Sequence, residues 1–371
     1  MPNLAELKVS QFRNLSSVAL QPSAGVNLVY GDNGSGKTSL LEAISVLAHG
    51  RSFRTHKFRR LIKEEQAEFT VFGQLNTESQ TRVKLGVGRK RNGDSQFRID
   101  GQSANNAAQL ASQLPLLIMD AHSFSLLEGS SQVRRQFFDW LVFHVKHDFK
   151  NLWRDYRVCL KQRNSLLRRD KISGSELAPW DKEMVALSRE LDRHREDVLR
   201  PFLDVFAGIA KDFGFDEHGD IYLDYKNGWK GESPLEEQLS EAFERDRKLG
   251  YSTLGPHKSD IKISMGTTPA AEVLSRGQQK MLISALFVSE ATVHQQLTGK
   301  NAVFLLDDMP AELDKTHLGT LAEWLNSLRS QLFVTGVEAD RLSAVWPQYK
   351  ELDTAVFHVK HGEVTQTNES T

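Results

Sequence analysis

The stretch GDNGSGKT, residues 31–38, decides how this chain folds. It fits G-x-x-x-x-G-K-[ST], a glycine-rich turn between a strand and a helix. The flanks supply both elements. VNLVY before it is a short β-type run, and after it Leu40, Leu41, Ile44 and Leu47 share one face of a helix running from Lys37 to about His49. Gly31, Gly34 and Gly36 permit a tight path that turns backbone N–H groups of Gly31, Asp32, Asn33, Gly34, Ser35, Gly36, Lys37, Thr38 and Ser39 toward phosphate oxygens. Lys37 can reach the β- and γ-phosphates, and the Thr38 hydroxyl can ligate Mg²⁺. The expected ligands are ATP and Mg²⁺.

Such a loop needs an acidic partner, and NAVFLLDDMPAELD, residues 301–314, supplies one. Val303 to Leu306 read as a buried strand ending in Asp307 and Asp308. Two adjacent carboxylates after four apolar residues are costly in a core unless a cation pairs with them. At the C-terminal end of a strand they lie where a parallel sheet binds ligands. Asp307 is expected to hold Mg²⁺, directly or through water. Asp308 is expected to orient or deprotonate the attacking water.

A second anion site stands in LSRGQQK, residues 274–280. Ser275 caps an apolar-periodic run that includes Met281, Leu282, Ala285 and Leu286. The bare helix start at Ser275, Arg276, Gly277 and Gln278 favours an anion through its free N–H groups and dipole. One chain already accounts for one nucleotide, so this start is surplus to it. Two copies facing head to tail make it useful, each Ser275 touching the γ-phosphate held by the other.

The rest of the chain sets bounds. Of 371 residues, 39% are hydrophobic and 26% charged, with a formal charge of −1, so any nucleic-acid surface must be local. A single cysteine, Cys159, excludes a disulfide framework and fits a reducing compartment. The first residues lack the apolar core of a signal peptide, and runs such as LISALFV are too short to span a bilayer. The expectation is a cytoplasmic protein with no membrane partner.

Short strands at EFTVFGQL, TRVKLGVG and QFRIDG suggest an antiparallel meander, and LPLLIMD a buried strand. From about Glu128 the texture becomes helical, with one unbroken run over residues 132–169, a second after Asp181 and a third opened or kinked by Pro201. After Gly250 strands and helices alternate again, implying a parallel sheet. The fold expected is α/β: a P-loop ATPase head whose mixed sheet carries an antiparallel β-subdomain, with an inserted helical lobe. Its parts are residues 1–125, 126–250 and 251–371.

LSRGQQK resembles the signature sequence of ABC-type ATPases. GRSFRT, EGSSQVRRQFFDW, LKQRN, ERDRKLGYSTLGPHKSD, LSRGQQK and LLDDMPAELD follow the order seen in the RecF family of bacterial recombination and gap-repair ATPases. That resemblance implies an ABC-type head (lobe I), a helical lobe II without a long coiled coil, and an ATP-dependent homodimer with slow hydrolysis. It also implies binding to double-stranded and gapped DNA, and cooperation with RecR, together with RecO, in loading recombinase. Two departures stand out. No histidine occupies Gly336-Val337, where many ABC proteins sense the γ-phosphate, and Ala121-His122 replaces an expected Pro-acidic pair.

For DNA, the helical section offers Arg134, Arg135, Lys150, Arg154, Arg157 and Lys161, and the meander Arg54, Arg60 and Arg91 among others. Three other readings compete. A chromosome-organising or break-repair head of the SMC type needs a longer arm than this insert provides. A small-molecule phosphotransferase leaves Ser275 without a role. A transporter ATPase subunit fits poorly with the helical lobe and the missing histidine.

Overall fold

Val26–Tyr30 (β3) is buried at its first four residues, as expected of a strand with neighbours on both edges and cover on both faces. The computed structural model describes residues 3–77, 81–169, 172–215, 221–229, 231, 233–308, 313–340, 342 and 353–367. It divides into two compact units, Met1–Ser123 with His294–Thr371, and Phe124–Val293.

The first unit holds two sheets. β1 (Asn3–Phe12), β2 (Leu15–Leu20), β4 (Glu68–Asn76), β5 (Arg82–Lys90), β6 (Ser95–Ile99) and β7 (Gln102–Ser103) form the antiparallel sheet, in the order β2-β1-β4-β5-β6-β7. The second sheet contains β3, β8 (Leu116–Met119), β12 (Val303–Leu306), β13 (Leu332–Gly336), β14 (Thr354–Lys360) and β15 (Glu363–Thr367). Its order is β15-β14-β3-β13-β12-β8, parallel throughout except for the edge strand β15. Helix α1 (Lys37–His49) touches β1, β4 and β5 of one sheet and β13 of the other. It is therefore buried well beyond the single apolar face read from the sequence: Ala43, Val46 and Ala48 are as inaccessible as Leu40 and Ile44. Two further helices are α2 (Ala107–Gln113) and Lys315–Ser327, which buries Leu318, Leu321, Ala322 and Leu325.

The second unit is mainly helical. The run expected over residues 132–169 breaks at Lys146, so α3 (Ser125–Glu128) is followed by separate α4 (Ser131–Val145) and α5 (Phe149–Leu167). Pro201 does not open a third helix. It lies with Pro179 inside α6 (Gly174–Asp212), a single helix of 39 residues. A helix-interior proline costs about 3 kcal/mol. Burying Leu177, Met184, Leu191, Val198, Phe202 and Phe206, at roughly 1.5–3 kcal/mol per side chain, outweighs both. The chain after Pro234 forms two short helices, α7 (Leu235–Glu241) and α8 (Phe243–Leu249), closed by left-handed Gly250.

The return to the first unit, expected at residue 251, falls at residue 294. β10 (Asp260–Met265) pairs antiparallel with β9 (Ile221–Lys226), a strand the sequence reading missed, and with β11 (Thr268–Pro269). Arg134 of α4 grips Asp260 through two nitrogens at 2.7 and 3.0 Å, and Arg195 of α6 donates to Pro256 O and Ser259 Oγ. These bonds hold residues 256–265 to the helical unit. α9 (Ala270–Val273) precedes α10 (Arg276–Thr298), which runs across the boundary.

Candidate functional site

β3 delivers the chain into the 31–38 loop, and α1 carries it away. Gly31 and Gly36 need φ values of 151° and 125°, open only to glycine in practice. A Cβ on Gly31 would also lie 2.2 Å from the Val359 carbonyl. The Lys37 ammonium folds back and donates to the Gly31 and Asp32 carbonyls at 2.8 and 3.1 Å. It is 5% exposed, and its partners are neutral carbonyls that an anion would readily replace.

Across from Lys37, β12 ends where the sequence reading ended it. The Thr38 hydroxyl donates to Asp307 Oδ1 at 3.0 Å, and the Thr335 hydroxyl donates to the same oxygen at 3.0 Å. Asp307 N–H is held by the Met119 carbonyl of β8, and Asp308 N–H by Thr335 Oγ1 at 2.8 Å. Asp308 adopts φ 54°, so the two carboxylates leave the strand end differently. Burial raises the Asp307 pKa above the ordinary carboxylate range. The two threonine hydroxyls oppose that shift, and the charges of Asp308 and Asp120 add to it. A hydroxyl beside a partly desolvated carboxylate is a suitable donor pair for Mg²⁺. Among the described residues, no cluster of three His, Cys, Asp or Glu side chains could hold a metal alone. A cation at this position would complete its shell with phosphate and water.

A cleft of about 680 Å³ opens over the loop, lined by Asn33, Gly34, Gly36, Lys37, Thr38, Ser39 and Asp308. Arg13, Asn14, Arg54, Arg60, Ile62, Glu64 and Arg91 complete the lining. The sequence reading offered Arg54, Arg60 and Arg91 for DNA; the fold places them in the lining of this cleft. It also missed Asp120, which follows β8 as Asp307 follows β12. The shared pattern of four apolar residues and an aspartate was the available signal. Burial raises the Asp120 pKa as well. Ala121 and His122 sit in an exposed short turn after it, and His122 N–H donates to Asp120 Oδ1. Met309 to Glu312 of the LLDDMPAELD stretch lie outside the described residues.

Ser275 and Gln278 form a reciprocal cap at the start of α10. Ser275 N–H donates to the Gln278 side chain at 2.9 Å, and Gln278 N–H donates to Ser275 Oγ at 3.3 Å. Arg276 lies over the Phe124 ring and pairs with Glu128, and Ser275, Arg276 and Gly277 are exposed.

The candidate DNA residues divide. Arg134 is ion-paired with Asp260 and also donates to the Gly129 carbonyl, while Arg135 donates to the neutral oxygens of Ser131 and Ser259. Lys150, Arg154, Arg157 and Lys161 recur at helical spacing along one side of α5. Arg154, Arg157 and Lys161 are exposed, and Arg154 pairs with the adjacent Asp155 at 2.9 Å.

A family model described as the RecF/RecN/SMC N-terminal domain matches residues 3–363. A protein of Saccharophagus degradans named DNA replication and repair protein RecF is 55% identical over 98% of this chain and 99% of its own. The chain belongs to the RecF family. A Teredinibacter turnerae protein of the same name is 51% identical over 100% of this chain and 98% of its own. Among solved structures, RecF with ATP superimposes with a TM-score of 0.86 at 24% identity, covering 99% of this chain and 98% of that one. An SMC head bound to the winged-helix domain of ScpA gives a TM-score of 0.56 at 16% identity, covering 99% and 98%. The RecF-family fold is thus an ABC-type α/β head with a helical insertion. Among the described residues, no helix is long and apolar enough to cross a membrane.

Proposed function

We propose that this chain is an ATP-switched, cytoplasmic DNA-binding protein of replication and recombinational repair, with slow, DNA-dependent ATPase activity. The observation that carries this reading is the Thr38–Asp307 hydrogen bond beside the Lys37 loop. It joins a phosphate-loop hydroxyl to a strand-end carboxylate with the donors a Mg–nucleotide needs.

In this reading Lys37 leaves the Gly31 and Asp32 carbonyls for the β- and γ-phosphates. The N–H groups of residues 31–39 surround the phosphates, while Arg54, Arg60, Arg91 and Ile62 face the remainder of the nucleotide. Thr38 and Asp307 hold Mg²⁺, which supplies charge neutralisation at the phosphate oxygens. Asp308 lines the same cleft and orients the attacking water or accepts its proton. No histidine follows β13 at Gly336-Val337 to help, in keeping with slow turnover.

Ser275 completes the site of a second copy. Its Oγ accepts the Gln278 N–H, leaving its own proton for a γ-phosphate oxygen of the partner. ATP therefore favours an antiparallel pair, and hydrolysis opens it. The α5 stripe contacts the backbone of duplex or gapped DNA without reading sequence. RecR, with RecO, is the proposed protein partner, drawn from the resemblance and from the RecFOR pathway named for the solved relatives. An SMC-like arm is disfavoured: α6, at 39 residues, reaches about 58 Å.

Sedimentation and light scattering with and without ATP, repeated with duplex DNA, test this reading. Wild type is expected to pair only with ATP. Ser275→Arg is expected to bind ATP with unchanged affinity but stay monomeric. A paired Ser275→Arg protein would remove the trans contact.

A further inference from the structure

The carbonyl of Ser35, in the middle of the phosphate loop, receives two hydrogen bonds from two unrelated turns. Asn14 Nδ2, from the β1–β2 turn, donates at 3.0 Å, and the Gly362 N–H, from the β14–β15 turn, donates at 2.8 Å. Asn14 Nδ2 also lies 3.5 Å from the Gly34 carbonyl. Both acceptors are carbonyls, so the amide must present its nitrogen to them. The three segments are in close contact: a Cβ on Gly362 would lie 2.1 Å from Asn14 O, and one on Gly36 would lie 3.0 Å from Asn14 Nδ2.

The turn bearing Asn14 is itself anchored. Arg13 adopts φ 54°, which L-residues seldom take. Its guanidinium meets fully buried Glu42 of α1 through two bonds at 2.8 and 2.7 Å. Ser52 donates to the same carboxylate and accepts the Arg54 and Thr55 N–H groups. An uncommon backbone geometry fixed by a bidentate pair is a held conformation, and what it holds in place is Asn14.

We propose that Asn14, seconded by Gly362, is a positioning residue that clamps the phosphate loop open for its ligand. The inference rests on reading the loop as the nucleotide site. In the present structure two fastenings hold carbonyls of the loop: Lys37 on Gly31 and Asp32, and Asn14 with Gly362 on Ser35. A bound phosphate takes Lys37 away from the first. The second involves no group that phosphate recruits, so it keeps the loop in shape through the nucleotide cycle.

The test compares full-length wild type, Asn14→Asp, Asn14→Ala and Lys37→Met. Asn14→Asp keeps the shape of the side chain but turns an acceptor toward two carbonyls. Without nucleotide, hydrogen–deuterium exchange over residues 31–38 is expected to quicken in both Asn14 variants while β12 and β13 stay protected. A fluorescent ATP analogue is expected to bind Asn14→Asp about tenfold more weakly than wild type, the loss of roughly one half-buried hydrogen bond. That gap should narrow as pH falls and the new carboxyl gains a proton to donate, whereas the gap for Asn14→Ala should not. Unchanged exchange over 31–38 overturns the clamp. Faster exchange with wild-type affinity overturns its link to binding, as does a deficit in Asn14→Asp that is the same at every pH. Should Asn14→Asp fail to fold, Asn14→Ala alone decides through the exchange and affinity measurements. Wild-type affinity in Lys37→Met would remove the nucleotide reading, while the exchange result would still judge the clamp.

Discussion

Thr38 and Asp307, 269 residues apart in the chain, meet through a 3.0 Å hydrogen bond. The bond joins the first turn of α1 to the end of β12, and it sits where a cation would bridge the two side chains. The hydroxyl proton lies between the two oxygens that such a cation would share.

Asp307→Asn tests this cation position. The raised Asp307 pKa means the folded protein holds this proton more tightly than the unfolded chain. The ionised form therefore destabilises the fold, fully above the folded pKa and not at all below the unfolded value near 3.9. Asparagine keeps an oxygen for Thr38 and Thr335 but carries no charge. Without nucleotide, the Asp307→Asn protein is expected to melt about 1–3 °C higher than wild type at neutral pH, with the gain shrinking in acid. Its Mg²⁺-dependent gain in nucleotide affinity should fall about tenfold or more, the loss of a charged ligand. Thermal melts across pH and nucleotide titrations with and without Mg²⁺ read both effects.

The α5 stripe and Arg134 should behave oppositely. Arg157→Ala with Lys161→Ala is expected to weaken duplex binding and lower the slope of log K against log salt by about 2, roughly 0.9 per phosphate contact. Arg134→Ala is expected to leave that slope unchanged and lower the melting temperature, because it strips Asp260 of its bidentate partner. Fluorescence anisotropy over a salt series, paired with melts, separates the two. A salt slope that moves with Arg134 and not with α5 would place DNA elsewhere.

Arg163 is a stability residue despite its basic neighbourhood. It is wholly buried and bonds Asp181 at 2.6 Å, Asp246 at 2.8 Å and Ser252 at 2.8 Å, and Asp246 is itself fully buried. Arg163→Met strands the Asp246 charge and is expected to cost about 3–5 kcal/mol. Adding Asp246→Asn should recover part of it. Urea unfolding of the single and double variants measures the difference; equal losses in both would mean that packing, rather than the stranded charge, accounts for the cost.

Much of the site was legible because it is local. Residues 31–38 carry their own strand, glycines, lysine and helix, and the apolar run before Asp307 announces a strand end by its abruptness. What was not legible depends on partners distant in sequence. Arg134 looked like a DNA contact because Asp260 stands 126 residues away. Residues 251–293 looked like part of the head because β9, which pairs β10, gave only a weak pattern with alternating exposure. Asn14 carried no motif at all; its role emerges only when two turns from opposite ends of the chain converge on one carbonyl.

The order of the parallel sheet bears on how the protein is born. Among the described residues β3, which feeds the phosphate loop, pairs with β13 and β14, both encoded roughly 300 residues later. At ribosomal speeds of 5–20 residues per second, that strand waits about 15–60 s for its neighbours. Through that interval its apolar surface lacks the strands that bury it. A message cut short before β13 would yield a polypeptide with every phosphate-loop residue in place and neither parallel neighbour of β3.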